Sequence, residues 1–233
     1  MIFPTMGLPI EFKPFKSAIS TAAEPDIVIV MDRSGSMTFP IDQNSDRLPY
    51  APGFLPGMPA PLVPDARKAA TSISSFLDVI DQSPHDEHVG LCTYSELGLN
   101  EVPLGNRTDA ARTAIALHTQ SYIGTFTNIG GGILAGVDCL SDTRTARPWA
   151  TRVLILVTDG KHNIGTDPIS AASQAASQNI MIFTVTYSDE ADQESMKQVA
   201  SIGRGFHIHA ADGDELRQAF KHILVNLPNL ITY

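Results

Sequence analysis

Asp32, Ser34 and Ser36 stand at alternate positions at the end of an apolar run, Ile27 to Met31, with Gly35 between the two serines. One carboxylate and two hydroxyls within five residues form an all-oxygen donor group. Such donors suit hard divalent cations. Mg²⁺ takes oxygen ligands at ~2.0–2.1 Å and keeps several waters. Mn²⁺ accepts the same donor types. Hydroxyls are neutral, so they hold a cation without cancelling its charge, and the ion stays attractive to an incoming anion. Asp and Ser are also common caps and turn residues, and a capped turn is the alternative reading of this pattern taken by itself.

The elements that would position these donors follow from the flanking residues. The run Ile27–Met31 is short, rich in β-branched residues and continuous rather than alternating, as in a parallel strand buried on both faces. Its carboxyl end would carry the donors, and open α/β sheets bind ligands outside that edge. Two later segments have a related form. Val153 to Val157 is another apolar strand, and it runs into Thr158-Asp159-Gly160. Gly124-Thr125-Phe126-Thr127-Asn128-Ile129-Gly130-Gly131-Gly132 places two hydroxyls ahead of a helical segment.

In this order and context, D-x-S-x-S, T-N-x-G before a helix, and strand-T-D-G resemble the von Willebrand factor type A (VWA) domain and its metal-ion-dependent adhesion site (MIDAS). The resemblance covers about residues 25–227. It implies a Rossmann-like α/β fold: a central, mostly parallel six-stranded sheet with one antiparallel edge strand and helices on both faces. It implies Ser34, Ser36 and Thr127 as direct hydroxyl ligands of Mg²⁺, or of Mn²⁺, with Asp32 and Asp159 acting mostly through bridging water. Phe126, Asn128, Gly160 and His162 would form the ligand-binding rim, and an Asp or Glu carboxylate of a protein partner would complete the shell. The family often has Gly-Gly ahead of the threonine, whereas Thr125-Phe126 stand here. Phe126 restricts φ where Gly would not, so it either shifts the loop or presents an aromatic ring beside the metal. Thr125 is a rival hydroxyl, but the T-N-x-G spacing favours Thr127.

The motifs are similar to those of bacterial surface proteins and of tight-adherence (Tad) pilus-assembly VWA proteins, which implies adhesion or pilus assembly at a bacterial envelope. A cytoplasmic VWA subunit of chelatase or co-chaperone type would share the site. It would work with a separate AAA+ ATPase, since this chain has no G-x-x-x-x-G-K-[ST] loop. A metal-dependent phosphohydrolase is a remote alternative. A strand ending in Asp suits an aspartyl nucleophile, but haloacid dehalogenase-type enzymes need a second Asp where Ser34 stands. There is no G-x-S-x-G elbow either. The expectation is a binding module rather than an enzyme.

The rest of the chain frames that reading. Its 233 residues, 43% hydrophobic and 18% charged, fit one globular α/β domain. A net charge of −9 lacks the basic footprint of nucleic-acid binding. No apolar run reaches the ~18 residues of a membrane span, so membrane attachment would require an anchor outside this chain. The start, with Pro4 and Pro9, does not read as a signal peptide.

Residues 1–24 read as an arm or linker, 25–227 as the VWA domain, and 228–233 as a C-terminal tail. A Pro-rich insertion at 38–62 directly follows the serines, as a wall or lid of the site or as a tolerated surface loop. Within it, Asp42 to Asp46 has the look of a calcium loop but lacks its Gly and its final Glu, so a solvated turn is the better reading. Periodicity predicts strands at 27–32, 88–94, 97–102, 152–158, 180–187 and 205–209. It predicts helices at 64–81, from Thr108, and at 130–140, 168–178, 189–201 and 212–226. Cys92 and Cys139 read as buried free thiols, with a disulfide left open. His207 and His209 could bind zinc but have no further ligand at suitable spacing, so strand-edge histidines fit better. His162, three residues after Asp159, is either a pH-sensitive rim group or an exposed loop residue.

Overall fold

The computed structural model describes residues 24–38, 64–83, 86–118, 124–187 and 191–231. The continuous apolar runs form the middle of the sheet because both of their faces are covered. Strands β1 (Asp26–Asp32), β2 (His88–Tyr94), β3 (Gly98–Gly105), β4 (Arg152–Thr158), β5 (Ile180–Tyr187) and β6 (Arg204–Ala210) pair in the order β3-β2-β1-β4-β5-β6. All neighbours are parallel except β2 and β3, so β3 is an antiparallel edge strand. Among the described residues six α-helices flank the sheet: α1 (Pro64–Asp81), α2 (Asp109–His118), α3 (Ile129–Ser141), α4 (Pro168–Ser177), α5 (Gln193–Ile202) and α6 (Gly213–Ile231).

Side chains of β1 alternate between two cores. Ile27, Ile29 and Met31 pack with Ile73 and Phe76 of α1 and with Leu216 and Phe220 of α6. Val28 and Val30 face the opposite side, with Ile133 of α3, Ala172 of α4 and Val199 of α5. Each such buried Ile, Val, Leu, Met or Phe side chain contributes about 1.5–3 kcal/mol. The core therefore fixes β1 from both faces and leaves its carboxyl end no freedom to drift. The strand order reverses direction at β1, whose neighbours β2 and β4 lie on opposite sides, and this is where ligands bind in open α/β sheets.

The sheet and helices are those expected from the sequence, with differences at the ends. β3 continues to Gly105 through Pro103, which an edge strand tolerates because its outward N–H needs no partner. α5 begins at Gln193 rather than near 189, because the Asp192 side chain caps it by accepting from the Ser195 N–H. α6 runs past Pro228 to Ile231, into the stretch read as a tail. The N-terminal arm up to residue 23, nearly all of the Pro-rich insertion and the turn at 42–46 lie outside the described residues.

At the amino end of the sheet, Arg147 closes the fold. Its Nε donates to Asp26 Oδ1 at 2.8 Å, and its backbone N–H donates to Asp26 Oδ2 at 2.7 Å. The same guanidinium donates to the carbonyls of Pro25 at 3.0 Å and Asp86 at 2.7 Å. Asp26 is wholly buried. Removing one partner of such a pair strands the other charge in the interior. Asp26→Ala is therefore expected to lower the free energy of unfolding by about 3–5 kcal/mol, read from urea titration at neutral pH.

Candidate metal centre

Asp32 ends β1 with no exposure, and three groups hold its carboxylate. The Ser34 N–H donates to Oδ1 at 2.8 Å, while Thr158 Oγ1 and the Tyr94 hydroxyl donate to Oδ2 at 2.7 and 3.0 Å. These donors come from the β1 turn, from the end of β4 and from the end of β2, so one carboxylate ties together the three central strand ends. Burial holds its carboxyl above the ordinary carboxylate range, against the lowering effect of those hydrogen bonds. Tyr94 can approach because position 132 is glycine. A Cβ there would lie 2.4 Å from the tyrosine ring.

Beyond Asp32 the chain turns through a short 3-10 segment, Gly35–Thr38, and the serines come round together. Ser34 Oγ and Ser36 Oγ are 3.0 Å apart, and Ser36 Oγ donates to Asp159 Oδ1 at 2.6 Å. Thr127 approaches from the loop ahead of α3. A Cβ on Gly160 would lie 3.0 Å from Ser36 Oγ and 3.6 Å from Thr127 Oγ1, so both hydroxyls look onto the same glycine. Thr125 is exposed, whereas Thr127 is buried and faces the serines. All five sequence-selected donors thus converge at one edge of the sheet.

The rim is stitched by side chains. The Thr127 N–H donates to Asn163 Oδ1 at 2.8 Å, and the Asn163 N–H donates to the Thr127 carbonyl at 3.1 Å. Asn128 caps α3 by accepting from the Gly131 N–H at 2.9 Å, and its amide donates to the Glu96 carbonyl at 2.9 Å. Glu96 Oε1 accepts from the N–H groups of Thr125 at 2.8 Å and Phe126 at 3.3 Å. This carboxylate supplies part of the loop geometry that Phe126 put in question, and it holds Phe126 with its ring exposed. His162 is partly buried beside the site, and desolvation lowers its pKa against the pull of Asp167. Tyr94, Glu96 and Asn163 were not picked out from sequence. Asn163 stands in the T-D-G-K-x-N run, but nothing local marks the other two.

The donor set fits a hard divalent cation. Cis ligands of an octahedral ion with ~2.1 Å bonds lie ~3.0 Å apart, which is the spacing of the two serine oxygens. The donors are hydroxyls and carboxylates, with no thiol or imidazole among them. Among the described residues no group of three or more His, Cys, Asp or Glu is arranged to hold a metal ion. Cys92 and Cys139 are buried and unjoined, with the Cys92 thiol against the Ala135 carbonyl at 3.5 Å.

A doubly wound sheet with hydroxyls and carboxylates gathered at its switch point defines a class of α/β binding domain. The sequence matches the von Willebrand factor type A domain over residues 26–222, and the chain belongs to that family. Chicken matrilin-1 is 26% identical over 159 residues, 66% of this chain and 32% of matrilin-1. Human matrilin-4 is 29% identical over 161 residues, 66% of this chain and 25% of that protein. The chain therefore spans about a third or less of the length of these relatives. Among solved structures, an aerotolerance-related membrane protein from Bacteroides fragilis aligns with TM-score 0.66 at 17% identity, covering 88% of this chain and 100% of that one. Proximal thread matrix protein 1 from the mussel byssus, with a zinc-occupied MIDAS motif, gives TM-score 0.62 at 17% identity over 88% of this chain and 48% of that one. A mutant of the PilB minor pilin from Streptococcus sanguinis gives TM-score 0.69 at 12% identity over 93% and 65%. At these identities the structural likenesses establish the fold.

The strand histidines are held by threonines. His207 Nδ1 lies 2.9 Å from Thr184 Oγ1, and His209 Nδ1 lies 3.0 Å from Thr186 Oγ1, both across the β5–β6 pair. Burial, with Lys197 and His209 nearby, lowers the pKa of His207 to about 4. Burial and Arg33 lower that of His118 to about 4. Below pH ~6.5 the unfolded chain takes up protons that these folded imidazoles refuse, so their contribution is complete above that pH. Stability is expected to fall as pH drops from 6.5 towards 4. A His118→Gln, His207→Gln double variant should show a shallower fall of the urea midpoint over this interval.

Proposed function

We propose that this domain is a divalent-cation-dependent protein-binding module, and that it takes an Asp or Glu carboxylate of its partner at the carboxyl edge of the sheet. Ser34, Ser36 and Thr127 would hold Mg²⁺, or Mn²⁺, by their hydroxyls, with Asp32 and Asp159 as the carboxylates of the site. When bound, the ion supplies positive charge that the three neutral hydroxyls do not cancel, so what offsets it within the site comes from Asp32 and Asp159 alone. The observation that carries this reading is the Ser34–Ser36–Asp159 oxygen chain, at 3.0 and 2.6 Å, with Thr127 facing it across Gly160. Asp32 lies behind the serines, and its bond to the Ser34 N–H fixes the turn that presents them. Asn163 and Asn128 hold the threonine loop at its working distance.

Matrilins, a collagen chain, a byssal thread matrix protein and a minor pilin carry related domains or this fold, which supports a role in adhesion or assembly. We place that role at a bacterial envelope or cell surface, in pilus assembly or adhesion. No helix among the described residues is long and apolar enough to cross a membrane, so attachment there would rely on another segment or partner. Ser36 donates to the Asp159 carboxylate at 2.6 Å, but no imidazole or amine base stands among the five donors, and we read the site as one for binding.

Calorimetric titration of Mg²⁺ and Mn²⁺ into chelator-treated protein tests the site. Asp32→Ala and Thr127→Ala should each weaken binding by roughly 10–100-fold or more, with circular dichroism unchanged. Tyr94→Phe, which removes a donor behind the site, should weaken it less, by about 10-fold. Equal metal affinity in the wild type and in all three variants would sink the assignment.

A further inference from the structure

Three exposed apolar side chains each stand next in sequence to one of the stitches that build the site. Among the described residues Leu97 is 70% exposed, Phe126 46% and Ile164 41%. Phe126 precedes Thr127, and Ile164 follows Asn163, the residue joined to Thr127 by bonds of 2.8 and 3.1 Å. Leu97 follows Glu96, whose carboxylate accepts from the Phe126 N–H at 3.3 Å and whose carbonyl accepts from Asn128 at 2.9 Å. The three segments therefore lie side by side, and their apolar residues belong to one rim. Large apolar groups grouped beside a polar site mark a contact surface.

The charges around this rim narrow what can cover it. Lys161, next to Gly160, is the exposed cation on the same loop as Ile164. Among the described residues of the same three segments, Glu96 and Asp167 are anions. Against desolvation, hydrogen bonds from Ser95 and from the Thr125 and Phe126 N–H groups hold the Glu96 carboxyl below its usual range. The Ser170 N–H and hydroxyl do the same for Asp167. Both stay ionised at neutral pH. An acidic run would meet these fixed negative charges as soon as it extended past the cation. One carboxylate flanked by a large apolar side chain meets the ion with its charge and the rim with its hydrocarbon.

Resting on the function proposed above, we infer that the partner segment is a single Asp or Glu with a large apolar side chain beside it, and that Leu97, Phe126 and Ile164 select that neighbour. The rim acts on selectivity, whereas the hydroxyls and carboxylates act on metal.

The test uses the full chain with Mn²⁺ and three fluorescent peptides, Gly-Gly-Glu-Phe-Gly-Gly, Gly-Gly-Glu-Ser-Gly-Gly and Gly-Gly-Glu-Glu-Gly-Gly, followed by anisotropy with and without chelator. The phenylalanine peptide is expected to bind roughly 10-fold more tightly than the serine peptide, as partial burial of a ring predicts. The doubly acidic peptide should bind no better than the serine peptide. In Phe126→Ser and Ile164→Ser, the phenylalanine-to-serine affinity ratio should fall towards 1, and because a ratio is read, a general loss of affinity does not imitate the result. Chelator-sensitive binding with equal affinity for all three peptides overturns the rim inference and leaves the metal-dependent module standing. A preference for the doubly acidic peptide overturns it as well. Peptide binding that ignores chelator, together with absent Mn²⁺ binding, overturns the underlying function and this inference with it.

Discussion

The carboxylate of Asp32 is the constraint on which the site depends. It lies at the end of the central strand, out of contact with water, and is acceptable there only because Ser34, Thr158 and Tyr94 satisfy its oxygens. Each of those donors belongs to a different segment. Satisfying one buried charge therefore fixes the turn after β1, the end of β4 and the end of β2 relative to one another. The serine turn, Gly160 and the Thr127 loop are arranged on this foundation. A cation site made of hydroxyls has little intrinsic stiffness, since serine and threonine side chains rotate freely in a turn. Here the stiffness comes from behind, through a carboxylate that does not itself reach the surface.

Parallel strands made much of this legible in sequence. A strand covered on both faces has no reason to alternate, so DIVIVMD and RVLILVT read as continuous apolar runs, and the change to polar residues marks the carboxyl edge. Because D-x-S-x-S and T-D-G directly follow those runs, four of the five donors could be placed at one edge without knowing the pairing. Thr127 was reachable through the family resemblance, whose T-N-x-G spacing it fits, and the structure shows the adjacent Asn128 capping the helix that follows. Segment ends were less legible. Pro103 and Pro228 are breakers by type, yet one lies on an edge strand and the other within a helix that continues past it.

The supporting residues were illegible for a different reason. Tyr94 donates to a residue 62 positions away, and Glu96 accepts from N–H groups 29 and 30 positions away. Neither belongs to a local pattern, since a tyrosine ending a strand and a glutamate in a turn are ordinary. Their roles come from β2 lying beside β1, which is a fact of topology. His207 and His209 show the converse. Their i, i+2 spacing allowed a shared zinc, but strand-edge histidines fitted better, and the parallel register with β5 gives each ring a threonine. A partner supplied by a neighbouring strand removed the need for an external one.

The chain carries a net charge of −9, which at first sight opposes a carboxylate-bearing partner. Distance resolves the conflict. At physiological salt, exposed charges are screened beyond about 8 Å, so most of the surface excess does not reach the binding edge. Beside the ion under the proposed function, the described residues of the rim segments carry Lys161 and the two fixed carboxylates of Glu96 and Asp167. Had the metal donors been carboxylates throughout, the ion would be neutralised and the local balance would repel an anion. With three neutral hydroxyls among the five donors, the two carboxylates no more than balance a divalent ion, so a partner's carboxylate can still be drawn to it, while the acidic surroundings discourage a second. Neutral hydroxyls beside the ion and the acidic side chains of Glu96 and Asp167 on the rim together favour a partner that is acidic at one point and apolar beside it.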